Sequence, residues 1–199
     1  MVSSAAFPRL LGSVESLSVA LEARDSYTRH HCDRAVRLAT ELGNACNVLD
    51  AELDYLRVSA RFHDVGKIGV PDAVLLKPAR LSPEEWVLMR AHPIFSEQIF
   101  KAAHLQDGEQ IAAAIRHHHE SFDGTGYPDG LAGEKIPLLS RILLVVDAYD
   151  AMTTARPYHK ARTHEEVMAI LDSENGKKLD PDVFRKFAIV IEHSPARSH

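Results

Sequence analysis

The chain has 199 residues, 45% of them hydrophobic, and a formal net charge of −5 with histidine neutral. This length predicts one domain with a sizeable core, so neither disulfides nor a structural metal is needed for folding. The acidic balance argues against a surface that follows a nucleic-acid backbone, and we expect no nucleic-acid polymer as a partner. Twelve histidines stand out beside two cysteines.

The N-terminal residues do not resemble a secretory signal. Residues 2–20 are interrupted by Pro8 and Arg9, and no run approaches the roughly 18 apolar residues that would span a membrane. Cys32 and Cys46 do not form a CxxC pair, which fits a reducing compartment. We therefore expect a cytoplasmic protein without disulfides and without membrane contact.

Apolar residues recur at three- and four-residue spacing along the first third of the chain, as they do in amphipathic helices. The pattern predicts a first helix over 8–24, a second that ends at Gly43 as its C′ residue, and a third over 49–62. Two glycines and a proline then predict a loop over 66–72. The apolar stripe of the first helix suits packing on its own domain or pairing with a second copy in a homodimer.

The remaining sequence is also helical by pattern. Ser82, Pro83 and Glu85 form a capping signature, so a helix begins at about Pro83. Trp86 and Phe100 lie at apolar positions and are expected in the core. Further helices are predicted over 94–104, 106–119 and 137–154, after a second capping box at 163–166, and from Pro181, with the longest loop at 120–135.

No strand pattern or repeat interrupts these helices. We therefore predict an all-α fold, a single domain of about seven or more helices. The expected parts are an N-terminal helix or arm at 1–24, the domain proper at 25–193 and a disordered tail at 194–199.

The histidines gather at predicted helix ends, close to carboxylates. His63 and Asp64 are adjacent, so both can reach one centre, and Asp64 has a second oxygen to bridge to a neighbouring metal. Asp147 lies in an apolar helix, where an unpaired carboxylate is costly to bury. Imidazole with carboxylate suits Fe, Mn, Ni or Zn, and bridged metals about 3.5 to 4 Å apart can clamp an in-line displacement at phosphorus. On spacing alone, solvated histidines and helix caps explain the pattern equally well.

Longer motifs surround these residues in a fixed order. They are DSYTRHHCDR at 25–34, HDVGKIGVPD at 63–72, HP at 92–93, HHESFDGTGYP at 118–128, DAYDAM at 147–152 and RPY at 156–158. Together they closely resemble the HD-GYP family over about residues 20–190. The HHExxDGxGYP segment separates that family from the broader HD phosphohydrolases.

The resemblance implies an α-helical domain around a metal site that hydrolyses the bacterial second messenger cyclic di-GMP. It implies that seven residues ligate metal: His31, His63, Asp64, His92, His118, His119 and Asp147. Asp64, as the bridging ligand, and Lys67 would be the catalytic residues, with the Lys67 ammonium offsetting charge that develops on the phosphate in the transition state.

The resemblance also implies substrate contacts. Gly126 and Tyr127 belong to the GYP signature, and Tyr127 has two open roles, stacking on a guanine or docking a partner such as a diguanylate cyclase domain. Arg156 matches a residue that contacts substrate phosphate. The basic residue expected three positions later is His159, and the adjacent Lys160 is the substitute candidate.

Tyr27 departs from the family pattern. Members with three metals carry a glutamate four residues before the first histidine ligand, and a phenol with a reference pKa of about 10 is a poorer ligand. We therefore expect two divalent metal ions, Fe or Mn, with Ni or Zn as alternatives. The expected product is pGpG, with slower cleavage to GMP.

Two other functions remain open. One is a cyclic di-GMP-binding or interaction module of low activity, and the other is a phosphodiesterase for another cyclic dinucleotide such as cyclic GMP-AMP. Residues beside the motifs are given ordinary roles, His117 in solvent or behind the ligands and Asp150 in helix packing or capping.

Overall fold

A computed structural model describes residues 6–24, 28–103, 108–155 and 160–198, and only the backbone at 6–13 and 28–30. These residues form α-helices, two short 3-10 helices and one isolated bridge between Asn175 and Leu179, with no β-strand among them. The predicted all-α fold is confirmed. None of these helices is long and apolar enough to cross a membrane, as far as the described residues extend.

The helices follow one another closely along the chain. In order they are α1 (Ala6–Arg24), α2 (Thr28–Ala45), α3 (Asp50–Phe62), α4 (Asp72–Leu75), α5 (Pro83–Met89), α6 (His92–Ala102), α7 (Gly108–Arg116), α8 (Leu138–Thr153), α9 (His164–Glu174) and α10 (Pro181–Ile191). The 3-10 helices span Val65–Gly69 and Gly133–Lys135. The predicted loop at 66–72 therefore contains all but the first residue of the first 3-10 helix, and the start of α4.

Helix starts are the part of the fold that local sequence specifies best. Ser82 accepts a hydrogen bond from the Glu85 backbone, and the Glu85 carboxylate accepts one from the Ser82 backbone at 2.7 Å. Thr163 and Glu166 form the same reciprocal box at the start of α9. Both predicted capping boxes are confirmed, because each satisfies backbone N–H groups that a helix leaves open at its first turn.

Two clusters of buried side chains hold the helices together. The larger lies between α2, α3, α8, α9 and α10, with Tyr149 and Phe187 among its fully buried members. The second joins α1 and α3 to α6 and α7 and contains Val14 and Phe100. α1 therefore packs on its own domain, and the core position predicted for Phe100 is confirmed.

The end of α2 differs from the prediction. Gly43 is not the C′ residue, because α2 continues to Ala45 and Asn47 takes the left-handed conformation with φ of 56°. Gly43 serves helix contact instead. A Cβ at that position would lie 2.8 Å from side-chain atoms of Leu53 and Leu56, so the glycine allows α2 and α3 to approach closely.

The C-terminal residues, for which a disordered tail is expected, form hydrogen bonds with one another and with the domain. The Ser198 backbone N–H donates to the Tyr149 hydroxyl at 3.1 Å, and the Ala196 N–H donates to Ser194 Oγ. Ser194 is buried. These contacts hold residues 194–198 against the domain.

Candidate metal centre

Five helices bring the predicted metal ligands to one place. His31 lies on α2, Asp147 on α8, and His92 is the first residue of α6. The other four candidates directly follow a helix: His63 and Asp64 after α3, His118 and His119 after α7. All seven candidates therefore meet, although they span 117 positions of the sequence from 31 to 147.

The donor atoms form two neighbouring groups. His31, His63 and Asp64 offer atoms within 4.8 Å of one another, and so do His92, His118 and His119. Asp64 lies between them, because its Oδ2 is 3.7 Å from His63 Nε2 and its Oδ1 is 3.3 Å from His92 Nε2. Each oxygen of this carboxylate thus faces a different group.

The remaining ligand candidate, Asp147, approaches the first group. Its Oδ1 lies 3.5 Å from His31 Nε2 and 3.7 Å from His63 Nε2. The Nε2 atoms of these two histidines are themselves 3.2 Å apart. Oxygen and imidazole donors therefore converge on a common point from α2, α8 and the end of α3.

The backbone orients the imidazole rings for ligation. Three rings donate their Nδ1–H to a carbonyl oxygen three residues earlier, His63 to Ala60 (2.9 Å), His92 to Met89 (2.8 Å) and His118 to Ile115 (2.5 Å). This pairing leaves Nε2 as the lone-pair atom, which is how proteins prepare histidine for a metal.

Two of the Nε2 atoms make no hydrogen bond within the described residues, although one of them, His92 Nε2, lies 3.3 Å from Asp64 Oδ1. Nε2 of His92 and Nε2 of His118 are buried and make no hydrogen bond with any described residue. A buried polar atom without a partner is costly, and a divalent cation would satisfy both. The donor set of imidazole and carboxylate therefore fits ions such as Fe, Mn, Ni or Zn.

Burial keeps three of these imidazoles neutral. It lowers the pKa of His92 and of His119 to about 3 and the pKa of His118 well below its ordinary value, because removal from water disfavours the charged ring. Their lone pairs are therefore available at neutral pH.

The first group is charged. Burial opposes ionisation of Asp64, but Lys67 and His63 hold the pKa of its carboxyl well below the usual range. Burial likewise opposes a charge on His63, yet Asp64 and Asp147 raise the pKa of His63 to about 9. The two carboxylates therefore favour a positive charge at His63, and a divalent cation at its Nε2 atom would supply one.

Lys67 stands beside the centre. It lies on the Val65–Gly69 helix, and its Nζ donates to Asp64 Oδ2 at 2.5 Å. Both residues line a pocket of about 290 Å³ that opens over the candidate ligands. The pocket is lined by Asp64, Lys67, Leu75, Leu81, Trp86, Met89, His92, His119, Tyr127, Asp147 and Ala151.

Sequence reasoning missed Asp150. Its position in the sequence indicates helix packing or capping, but its buried Oδ2 lies 2.7 Å from His31 Nδ1, and its carboxylate also binds the Arg34 guanidinium. Asp150 therefore fixes the His31 ring as backbone carbonyls fix the rings of His63, His92 and His118. The available signal was spacing, because Asp147 and Asp150 are one helical turn apart and share a face of α8.

We expect Asp150→Ala to lower metal affinity by about 10- to 100-fold, the usual effect of removing a carboxylate that orients a histidine ligand. Asp150→Asn should lose less, because the amide oxygen still accepts from His31 Nδ1–H. Metal titration followed by calorimetry measures both. Asp172→Ala, at an exposed position of α9, is the control, and unchanged affinity in Asp150→Ala would remove Asp150 from this role.

The loop that carries the GYP signature is fastened at two points. The Glu120 carboxylate accepts hydrogen bonds from the Asp129 and Leu131 backbone at 2.7 and 3.1 Å. The Asp129 side chain binds Arg116 through two hydrogen bonds and lies 2.9 Å from His117 Nε2. The His117 side chain therefore contacts this loop through Asp129.

Gly126 and Tyr127 of the GYP signature have different structural roles in this loop. A Cβ on Gly126 would lie 2.1 Å from the Ser121 backbone N, so the loop folds back on itself only with glycine there. Tyr127 stacks on His119 with ring centroids 4.9 Å apart and lines the pocket. The loop thus delivers an aromatic ring to the candidate centre.

Asp129→Asn should loosen the loop without unfolding the domain. The Asp129 carboxylate is about one-third exposed, so we expect a loss of only about 1 kcal/mol in the free energy of unfolding. Hydrogen exchange of residues 120–131 should become faster. Asp123→Asn in the same loop, whose side chain binds only Thr125 among the described residues, should leave exchange at 126–131 unchanged; equal effects of both changes would contradict a fastening role.

The remaining predicted contacts are not part of the described site. Arg156, His159 and Tyr27 fall outside the described residues. Lys160 is described, is exposed and does not line the pocket.

A family model for the HD domain matches residues 13–183. The chain belongs to the HD domain family. HD phosphohydrolases are metal-dependent, and the two groups of donors described above fit that property. The resemblance to the HD-GYP family is confirmed by relatives named as cyclic di-GMP phosphodiesterases, at 37% and 38% identity over most of this chain.

Two curated relatives and one solved structure illustrate the similarity. The "Cyclic di-GMP phosphodiesterase response regulator RpfG" of Xanthomonas campestris pv. campestris is 37% identical over 169 residues, 85% of this chain and 45% of that protein. The "3'3'-cGAMP-specific phosphodiesterase 3" of Vibrio cholerae is 35% identical over 165 residues, 82% of this chain and 35% of that protein. The chain thus spans less than half the length of either.

The structural match concerns the fold. "Bd1817, a HDG"Y"P protein from Bdellovibrio bacteriovorus" superimposes with a TM-score of 0.67 at 22% identity, over 83% of this chain and 52% of that one. The helical arrangement described above is therefore that of known HD domains.

Proposed function

We propose that this chain is the catalytic domain of a metal-dependent phosphodiesterase that hydrolyses cyclic di-GMP to pGpG, with slower cleavage to GMP. One observation carries the proposal. Two groups of largely buried imidazoles adjoin Asp64, and the Nε2 atoms of His92 and His118 make no hydrogen bond within the described residues, as expected of atoms that bind cations. The relatives' names supply the substrate class.

Two divalent metal ions, Fe or Mn with Ni or Zn as alternatives, are proposed for this centre. The residues that would hold them are His31, His63, Asp64, His92, His118, His119 and Asp147, with Asp64 shared. Bound ions of this kind act as Lewis acids on a phosphate and lower the pKa of water.

The chain's own residues prepare the site for an anionic substrate. The Lys67 ammonium stands at the pocket and carries a positive charge that an equatorial phosphate oxygen can meet in the transition state. Its contact with Asp64 holds it there before substrate arrives, so little reorganisation is needed at reaction. Tyr127, Leu75 and Leu81 border the pocket and restrict water around the phosphate.

3'3'-cGAMP is a second candidate substrate beside cyclic di-GMP, because several relatives are named 3'3'-cGAMP-specific phosphodiesterases, at 31% to 35% identity. Both substrates share the phosphodiester ring and differ in one base. The metal centre cannot discriminate between them. Discrimination must come from residues at the base positions.

The test is a turnover panel. Protein purified without oxygen and loaded with Mn²⁺ or Fe²⁺ is incubated with cyclic di-GMP, 3'3'-cGAMP and cyclic di-AMP, and the products are separated by chromatography. We expect pGpG to form fastest. Tight binding of cyclic di-GMP without product would favour an interaction module of low activity. Faster cleavage of 3'3'-cGAMP than of cyclic di-GMP would make 3'3'-cGAMP the proposed substrate. Elemental analysis of the same protein counts the metals.

Several expectations stay predictions beside this proposal. They are docking of a diguanylate cyclase domain through the GYP loop, a homodimer, a cytoplasmic location, substrate contacts by Gly126, Arg156 and Lys160, and the domain limits at 25 and 193.

A further inference from the structure

α5 has an unusual surface for a helix of this fold. None of its seven residues is buried, although Trp86, Val87 and Leu88 are 45%, 70% and 46% exposed. The core position predicted for Trp86 is wrong. Its ring lines the pocket over the candidate metal centre instead, together with Met89 one turn later.

The pocket has two chemically different sides. Its floor is polar and charged, with Asp64, Lys67 and the candidate ligands, whereas one wall is apolar and comes from Leu75, Leu81 and α5. A ligand that suits both sides carries an anion at one end and a flat apolar group at the other. A nucleotide has this shape, with the base on the α5 side.

Arg90 lies at the junction of the wall and the GYP loop. Its guanidinium carbon is 5.7 Å from the centroid of the Trp86 ring and 5.2 Å from that of Tyr127. Tyr127 in turn stacks on His119. Four planar groups therefore follow one another from the candidate ligands to the surface.

The Arg90 guanidinium contacts the aromatic rings of Trp86 and Tyr127 and not a carboxylate of the described residues. No carboxylate in the described ranges forms an ion pair with it, in contrast to Arg34 and Arg116, which bind aspartates. A guanidinium has five N–H donors. Arg90 is exposed at the rim, beside the pocket-lining rings of Trp86 and Tyr127, so these donors are available to acceptors of a ligand that reaches the rim.

We propose that Trp86 and Arg90 form a guanine subsite, in which the base stacks on the indole and Arg90 donates two hydrogen bonds to O6 and N7. Guanine presents two acceptors on this edge, whereas adenine presents one acceptor and one donor. Stacking on an aromatic ring accepts any base. Trp86 therefore provides affinity and Arg90 provides the preference for guanine; the subsite rests on the proposed nucleotide substrate.

Trp86 is the only tryptophan of the chain, so its fluorescence reports the subsite without turnover. The full chain, loaded with Mn²⁺, is titrated with GMP, AMP and ribose 5-phosphate. GMP should quench the signal, AMP should quench it with about tenfold weaker affinity, and ribose 5-phosphate should leave it unchanged. Quenching by GMP no greater than by ribose 5-phosphate overturns the subsite.

Variants separate the two residues. Arg90→Gln should keep the quenching and lose the preference for GMP over AMP. Trp86→Ala should raise KM for cyclic di-GMP by about fivefold or more. Arg185→Gln removes the same charge from an exposed site on α10 and should change neither. An unaltered GMP preference in Arg90→Gln overturns the role of Arg90.

The two proposals fail in different ways. If GMP quenches Trp86 fluorescence but no cyclic dinucleotide is cleaved, the phosphodiesterase proposal is refuted and the subsite proposal stands. A protein that cleaves cyclic di-GMP with the same KM in wild type, Trp86→Ala and Arg90→Gln refutes the subsite and keeps the phosphodiesterase.

Discussion

Asp64→Asn should reduce cyclic di-GMP turnover by at least about 10³-fold. One oxygen of Asp64 faces each group of imidazoles, so its loss weakens both metal positions at once. Lewis-acid stabilisation is worth several kcal/mol, and each 1.36 kcal/mol is tenfold in rate. The change keeps the size of the side chain, so the helices around it need not move.

Steady-state kinetics and elemental analysis of the same preparation check this expectation. The metal content per chain should fall together with kcat. Asp172→Asn on α9 is the matched control and should keep both values. Wild-type turnover in Asp64→Asn would rule out the proposed centre, whereas lost turnover with full metal content would place the role of Asp64 in catalysis alone.

The sequence predicts the ligand candidates because most of them lie at helix ends, which local sequence patterns mark. His63 and Asp64 are adjacent at the end of α3, and His118 and His119 are adjacent at the end of α7. Their neighbours within one turn supply the carbonyls that orient the rings. A short sequence motif therefore carries the donor atom and its orientation together.

Other parts of the site depend on tertiary contacts that local sequence patterns do not predict. Asp150 acts on His31, which lies 119 positions earlier in the chain. Trp86 occupies an apolar position that would suit a core helix, and only the open side of α5 makes it a pocket wall. Periodicity tells which residues share a face, but it does not tell whether that face meets protein or a ligand.

The turn after Asp64 shows how packing ties the two metal groups together. The Gly66 backbone N–H donates to Ser96 Oγ at 2.7 Å, and Ser96 Oγ donates to the His63 carbonyl at 2.8 Å. Ser96 lies on α6, the helix that begins with His92. The distance between the His63–Asp64 turn and His92 is therefore set by the contact of Gly66 with α6.

Gly66→Ala should disturb this contact strongly. A Cβ there would lie 2.1 Å from the His92 carbonyl oxygen and 2.4 Å from the Ser96 backbone N. Both obstacles are backbone atoms that cannot rotate away, so α6 must move. We expect the free energy of unfolding to fall by about 3 kcal/mol, the upper part of the usual range for overpacking, together with weaker metal binding at His92. Denaturant unfolding and metal titration measure the two effects.

Gly69→Ala is the matched control for this change. Its Cβ would meet the Phe95 ring at 2.9 Å, and a side chain can shift where backbone cannot, so the losses of stability and of metal affinity should be clearly smaller than in Gly66→Ala. Ser96→Ala covers the case in which Gly66→Ala does not fold, because it removes both hydrogen bonds without adding an atom. If Gly66→Ala and Gly69→Ala were equally stable and Ser96→Ala bound metal as wild type does, the contact between the turn and α6 would not set the geometry of the centre.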